Sequence, residues 1–113
     1  MKTYIGTRTP QGCRVRVHDT ATTRVRRLRA RLDLWNHSQT GFEWGYAGSG
    51  PAQLALAILA DMFRDDDAAA VRLHQAFKRQ VVATLPSTRW ALTEDEVSRL
   101  IKALPEFRDG SCG

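Results

Sequence analysis

Hydrophobic and polar residues alternate along the first third of the chain, which is the pattern of β-strands with one buried face. Residues 4–8 are rich in strand-forming types, and the Pro and Gly of residues 9–12 suit a tight turn. Residues 13–18 then alternate strictly, so that three apolar side chains share one face and Arg14, Arg16 and His18 share the other. We therefore predict a β-hairpin with a basic outer face.

The same two-residue period returns in residues 27–34, after a polar loop. Four apolar residues alternate there with four charged ones, which predicts a further half-buried strand, because a helix would scatter the charges around its circumference. Turn-forming residues 36–41 precede another alternation in residues 42–46, with three aromatic residues on one side, which predicts a fourth strand. The charged positions of the earlier segment are Arg27, Arg29, Arg31 and Asp33.

Helical patterns fill most of the second half of the chain. Gly, Ser and Pro in residues 48–51 open a first helix, whose body at residues 52–63 is apolar on nearly all sides and is predicted to be buried. A second helix is predicted over residues 68–84, after three aspartates that suit a helix N-terminus. Thr93 and Glu96 fit a capping box for a third.

Several strands followed by three helices predict an α+β fold. We expect an antiparallel sheet of three to four N-terminal strands, packed on one face by three C-terminal helices. The chain of 113 residues has room for one domain, which we place at residues 1–107, with a flexible C-terminal tail at residues 108–113. With 42% hydrophobic and 26% charged residues, its composition is that of a globular protein.

The formal net charge of +5 is unevenly distributed along the chain. Residues 1–32 hold nine Arg or Lys against one acidic residue, Asp19, and so carry +8. Residues 33–113 hold eight basic and eleven acidic residues, and so carry −3. The excess of positive charge therefore belongs to the segment in which the alternating pattern predicts the sheet.

Composition excludes several classes of protein. No apolar run reaches the roughly 18 residues needed to cross a bilayer, so we expect a cytoplasmic protein with no membrane partner. Cys13 and Cys112 are too few for a secreted disulfide framework and are predicted to be free thiols. The three histidines are far apart and no metal-binding spacing is present, so we predict no metal site and no cofactor.

Residues 36–59, NHSQTGFEWGYAGSGPAQLALAIL, carry the most distinctive stretch of the sequence. This stretch resembles the signature of a family of small proteins of unknown function from bacteria, phages and mobile elements. The opening Tyr4-Ile5-Gly6-x-Arg8, the Phe77-Lys78 pair, Trp90 and the last helix also fit the family, so that the resemblance covers residues 4–104. The family has no assigned catalytic residues, so the resemblance supplies little about function, but the family's presence in phages and mobile elements implies a host-defence or replication context.

The basic positions of the predicted sheet form the main candidate binding site. If the strands pair, their arginines form a ribbon for which nucleic acid is the usual partner, and an acidic protein surface is the alternative. A merely solvated outer face is the structural alternative. We also expect Trp35 to lie on this face and to be exposed. The candidate residues are Arg14, Arg16, Arg27, Arg29, Arg31 and Trp35.

A second candidate is an anion or catalytic site at the turn that opens the first helix. Free N–H groups at a helix start bind phosphate, and His37 and Glu43 could pair across the intervening turn as an acid/base couple or simply to hold it. A tight structural turn is the competing explanation. The residues of this site are His37, Glu43, Gly48, Ser49 and Gly50.

Together these features predict a non-enzymatic small binding protein, a monomer or homodimer, that engages nucleic acid or a nucleic-acid-processing machine through its arginine face. The alternative is a phage or mobile-element counter-defence inhibitor or adaptor, similar in role to an anti-CRISPR protein, that docks on an acidic protein surface. A third hypothesis is a small hydrolase or phosphate-ligand protein that uses the turn site.

Overall fold

The sheet is built around the hairpin that opens the chain. In the computed structural model, which describes residues 1–107, β1 (Lys2–Thr9) pairs antiparallel with β2 (Gly12–Asp19). A short strand, β3 (Arg24–Arg27), continues the sheet beyond β2, and β4 (Arg89–Thr93) pairs antiparallel with the other edge of β1. The strand order is therefore β3-β2-β1-β4.

Three helices cover one face of this sheet. Helix α1 (Ser49–Met62) is buried over eleven of its fourteen residues, as its uninterrupted apolar sequence predicted. Helix α2 (Asp67–Gln80) begins at Asp66, whose carboxylate accepts a hydrogen bond from the Ala69 N–H, and a 3-10 turn follows at Val82–Thr84. Helix α3 (Glu94–Lys102) begins with the predicted capping box of Thr93 and Glu96.

The core lies between the helices and one face of the sheet. Alternate residues of β1, β2 and β4 point inward, among them Tyr4, Val17 and Trp90, and all three are buried. None of the helices in the described part of the chain covers the opposite face. The predicted α+β class, with a four-stranded antiparallel sheet and three helices on one side, is thus confirmed.

The predicted strand over residues 27–34 is wrong, since regular pairing ends at Arg27. Arg31 has a left-handed backbone (φ 57°), which breaks an extended run. The buried side chain of Gln53 on α1 instead satisfies the backbone of this loop: its amide donates to the Ala30 carbonyl and its oxygen accepts from the His37 and Ser38 N–H groups. The side chain of Gln53 thus forms hydrogen bonds with backbone groups that strand pairing would otherwise have satisfied.

The predicted strand over residues 42–46 is also wrong, and the fourth strand is β4. Gly41 and Gly45 have positive φ angles of 123° and 87°, which are incompatible with a continuous strand. The segment is a loop anchored by Trp44, whose side chain is 1% exposed and donates from Nε1 to the Ser87 carbonyl. The aromatic pattern therefore reflects an anchor in the core rather than one face of a strand.

The predicted C-terminal tail, residues 108–113, and Cys112 lie outside the described residues. Over residues 1–107, no helix is long and apolar enough to pass through a lipid bilayer.

Candidate functional site

The uncovered face of the sheet carries the densest group of exposed basic side chains in the four strands. Every second residue of each strand points outward, and four of these outward residues are arginines from three strands. All four are exposed. We call Arg14, Arg16, Arg27 and Arg89 the arginine face.

Strand register arranges the arginine face in two rows across the sheet. In the first row Thr7 on β1 pairs with Arg14 on one side and with Arg89 on the other. In the second row Ile5 pairs with Arg16, which pairs in turn with Arg27. The longer side chains rise on both sides of β1 and enclose a shallow trough of about 350 Å³. Its lining consists of Ile5, Thr7, Thr9, Arg14, Arg16, His18 and Arg89.

Within residues 1–107, no acidic residue neutralises the arginine face. None of its four arginines is within 4 Å of a carboxylate of residues 1–107, and no Asp or Glu occupies an outward position of the four strands. Arg16 and Arg27 are directly opposed on neighbouring strands, where like charges repel. An external anion would relieve this repulsion.

Three arginines on the other side of the sheet and in the loops, in contrast, form ion pairs. Arg8 contacts Glu43 at 2.8 Å and Arg26 contacts Asp61 at 2.7 Å. Arg31 contacts both Asp33 and Asp67 at 3.1 Å, and these carboxylates raise its pKa. The ion pairs therefore bind the fold together, while the outward arginines stay available to a partner.

Three of the six residues predicted for the basic site share this face: Arg14, Arg16 and Arg27. The other three do not, because the strand that was predicted to carry them is a loop. Arg29 is exposed beside a small cavity next to α1, and Arg31 is held by its two aspartates. Trp35 is 50% exposed as predicted, but it stacks on His37 away from the sheet.

Arg89 is the member of the arginine face that the sequence reasoning missed. It reaches the face because β4 pairs with β1 across more than 80 positions of sequence. Residues 89–93 do alternate, with Trp90 and Leu92 apolar, and this was the available signal for a strand.

His37 belongs to a histidine pair rather than to a pair with Glu43. Its Nε2 atom lies 2.9 Å from Nε2 of His74, and the Trp35 ring stacks on its own ring with a centroid distance of 4.9 Å. His74 is 1% exposed and its Nδ1 lies 2.6 Å from the Val71 carbonyl, which requires Nδ1 to be the donor. Nε2 of neutral His74 therefore accepts, and Nε2 of His37 donates.

This histidine pair predicts a loss of stability in mild acid. Burial lowers the pKa of His74 below its usual value, and the positive charge of Lys78 lowers it further. The hydrogen bond to the Val71 carbonyl acts in the opposite direction but is a smaller effect than burial. The unfolded chain then binds more protons than the folded one below about pH 6.5, so the free energy of unfolding falls as the pH drops through that value.

We expect chemical denaturation of a His74→Asn variant to show a weaker dependence on pH between about 7 and 5 than the wild type, because the buried titrating ring is gone. The asparagine amide keeps a donor near the Val71 carbonyl, which limits the damage at neutral pH. Parallel curves for the two proteins would show that His74 is not the group responsible.

The turn site predicted at the start of α1 is divided by the structure. Glu43, Ser49 and Gly50 line one cavity of about 280 Å³, while His37 faces His74. Gly50 is needed for packing, since a Cβ there would lie 2.6 Å from Cβ of Glu43. Gly48 is the N-cap residue of α1 and, being a glycine, has no side chain with which to cap the helix. The Glu43 carboxylate in this cavity disfavours a bound anion, and Glu43 pairs with Arg8 at 2.8 Å rather than with His37, so the acid/base couple is not formed.

Within residues 1–107, no three His, Cys, Asp or Glu side chains are grouped so that they could hold a metal ion.

Comparison with known proteins identifies one relationship. A family model described as a family of unknown function, DUF6166, matches residues 4–103. A search of curated proteins and a search of solved structures each found no match.

Proposed function

The chain belongs to DUF6166, a family of unknown function, and from its own geometry we propose that it is a non-enzymatic protein that binds nucleic acid through the arginine face. One observation carries this proposal: four exposed arginines from three strands converge on an uncovered sheet face that holds no carboxylate. Such a face is complementary to a polyanion, and phosphates bound there would release counterions from the nucleic acid.

The rest of the molecule is consistent with a binding role. The arginines stand on regular strands backed by a packed core, so their spacing is set before a partner arrives. The turn site, in which His37 and Glu43 are apart, offers no assembled nucleophile and base among the described residues. In this proposal the protein acts in the cytoplasm, where its nucleic-acid partner is found.

An acidic protein surface is the second candidate partner, because the same charge complementarity would serve it. This version includes an adaptor on a nucleic-acid-processing machine and a counter-defence inhibitor. Binding to an acidic protein surface requires a folded protein partner, whereas direct binding to nucleic acid requires only a phosphate backbone. Purified nucleic acid therefore separates the two candidates.

The decisive experiment compares the wild type with the variant Arg14→Gln/Arg16→Gln/Arg27→Gln/Arg89→Gln in electrophoretic mobility shifts at about 50 and 200 mM salt. We expect the wild type to bind at the lower salt concentration. The fourfold variant should bind at least about 100-fold more weakly, because phosphate contacts supply nearly all of the affinity of non-specific binding.

Arg99→Gln is the matched control, since Arg99 is exposed on α3, away from the sheet face, and should leave binding unchanged. Circular dichroism would confirm that the fourfold variant keeps its fold. Absence of wild-type binding at low salt, or equal binding by the folded fourfold variant, would overturn direct binding through this face.

A further inference from the structure

The composition of the arginine face points to the kind of nucleic acid that it fits. Resting on the proposed function, we infer that the face binds the sugar–phosphate backbones of a double-stranded nucleic acid, without reading base sequence. Three observations carry the inference: the lack of outward Phe, Tyr and Trp side chains, the spacing of the arginines, and the short side chains between them.

No Phe, Tyr or Trp side chain points outward from the four strands, and the half-buried imidazole of His18 is the one ring on this face. Tyr4 and Trp90 both point into the core and are at most 4% exposed. The exposed aromatics, Trp35 and Tyr46, lie in the loops between β3 and α1. Sheet surfaces that bind single strands use outward aromatics on which unpaired bases stack. With a single half-buried imidazole in place of such a row of aromatics, this face offers a single strand little beyond charge.

The four arginines cover a patch that is suited to a duplex. Arg14 and Arg89 flank β1 at a separation of two strands, which corresponds to about 10 Å between Cα atoms, and Arg14 and Arg16 are about 7 Å apart along β2. Arg27 on β3 extends the patch to the full width of the sheet. A duplex presents one charge per about 1.7 Å of its axis, on two backbones, so that several phosphates fall within reach of one such patch.

Between the arginines the floor of the trough is made of short side chains. Thr7 lies between Arg14 and Arg89 in register, and Ile5 lies between Arg16 and the small Ala91. A threonine hydroxyl can donate to a phosphate oxygen, but these side chains are too short to reach base edges in a groove. The floor of the trough therefore adds no contact that reads base sequence, which leaves phosphate contacts as the role we infer for the arginines.

Fluorescence anisotropy with labelled 20-mers tests the inference. The wild-type protein is titrated with a duplex, with each of its separated strands, and with a second duplex of unrelated sequence. We expect the two duplexes to bind equally, and each single strand at least about 10-fold more weakly. For four phosphate contacts, the slope of log K against log salt for the duplex should be about −3.6.

The Arg89→Gln variant should reduce the magnitude of this slope by about 0.9, because it removes one contact, while Arg99→Gln should leave it unchanged. Duplex DNA and duplex RNA of one sequence form two arms of the experiment, and binding by either one supports the inference while identifying its source. Single strands that bind as tightly as the duplex would overturn the inference but leave the proposed function standing. Absence of binding to any of these nucleic acids would overturn both.

Discussion

An Asp61→Asn variant is expected to lose about 3–5 kcal/mol of its free energy of unfolding, because it leaves buried positive charge without a counterion. Asp61, near the C-terminal end of α1, receives hydrogen bonds from the inner face of the sheet: from Tyr4 OH at 2.7 Å, Arg26 at 2.7 Å and Lys2 Nζ at 3.1 Å. Lys2 is only 7% exposed, so little water can reach its ammonium group in place of the lost carboxylate.

The pH dependence of stability provides a second measure of the same site. Burial alone would raise the pKa of Asp61, but the hydrogen bonds from Tyr4, Arg26 and Lys2 outweigh it and hold the pKa below its ordinary value. The stabilisation is therefore fully present above about pH 4, the pKa of an aspartate in an unfolded chain, and is lost as the pH falls further. Urea denaturation of the wild type and the variant at pH 7 and pH 3 measures both effects.

Asp33→Asn is the matched control for this measurement. Asp33 also pairs with an arginine, Arg31, at 3.1 Å, but its side chain is 64% exposed, and water screens such surface pairs. We expect this variant to unfold close to the wild-type denaturant midpoint. Comparable losses in the two variants would mean that Asp61 acts as an ordinary surface charge rather than as the centre of a buried network.

The network around Asp61 explains why only one side of the sheet is available to an anion. On the inner side, Lys2 and Arg26 are neutralised by a carboxylate from α1. No helix covers the outer side, so no carboxylate is brought to the arginine face from α1, α2 or α3. The position of the helices thus separates structural charge from charge that can bind a partner.

Local patterns predicted those parts of the fold that depend on local interactions. The strict alternation of residues 13–18 placed Arg14 and Arg16 on one face of a strand, and the structure confirms this arrangement. The capping box at Thr93 and the apolar body of α1 were also visible in the sequence, because a cap or a buried helix needs only neighbouring residues.

The alternating pattern gave a wrong prediction where side chains distant in sequence determine the backbone conformation. Residues 27–34 have the period of a strand, but Gln53 and the aspartates around Arg31 satisfy the segment as a loop. Nothing in the local pattern records those contacts. Arg89 was missed for the converse reason, since its place on the face depends on a pairing between β4 and the first strand of the chain. The candidate site was therefore half predictable: its first strand was evident, and its far edge was not.

The contact that brings Arg89 to the face makes a Gly6→Ala variant severely destabilising. Gly6 on β1 pairs with Trp90 on β4, and a Cβ at Gly6 would collide with Nε1 of the Trp90 indole. Trp90 is 4% exposed and packs edge-on against Trp44, with 5.6 Å between the ring centroids. This packing restricts rotation of the Trp90 ring away from the added methyl group. Overpacking of this kind costs about 3 kcal/mol, to be measured by urea denaturation.

A double-mutant cycle with Trp90→Leu isolates the clash. Trp90→Leu alone should also destabilise the protein, because it leaves a cavity beneath the sheet. The double variant should lose less than the sum of the two single losses, since the smaller side chain leaves space for the added methyl group. Strictly additive losses would contradict the steric explanation. Because the clash displaces β4 and Arg89 with it, we also expect Gly6→Ala to weaken duplex binding by about as much as Arg89→Gln, at temperatures where the variant is still folded.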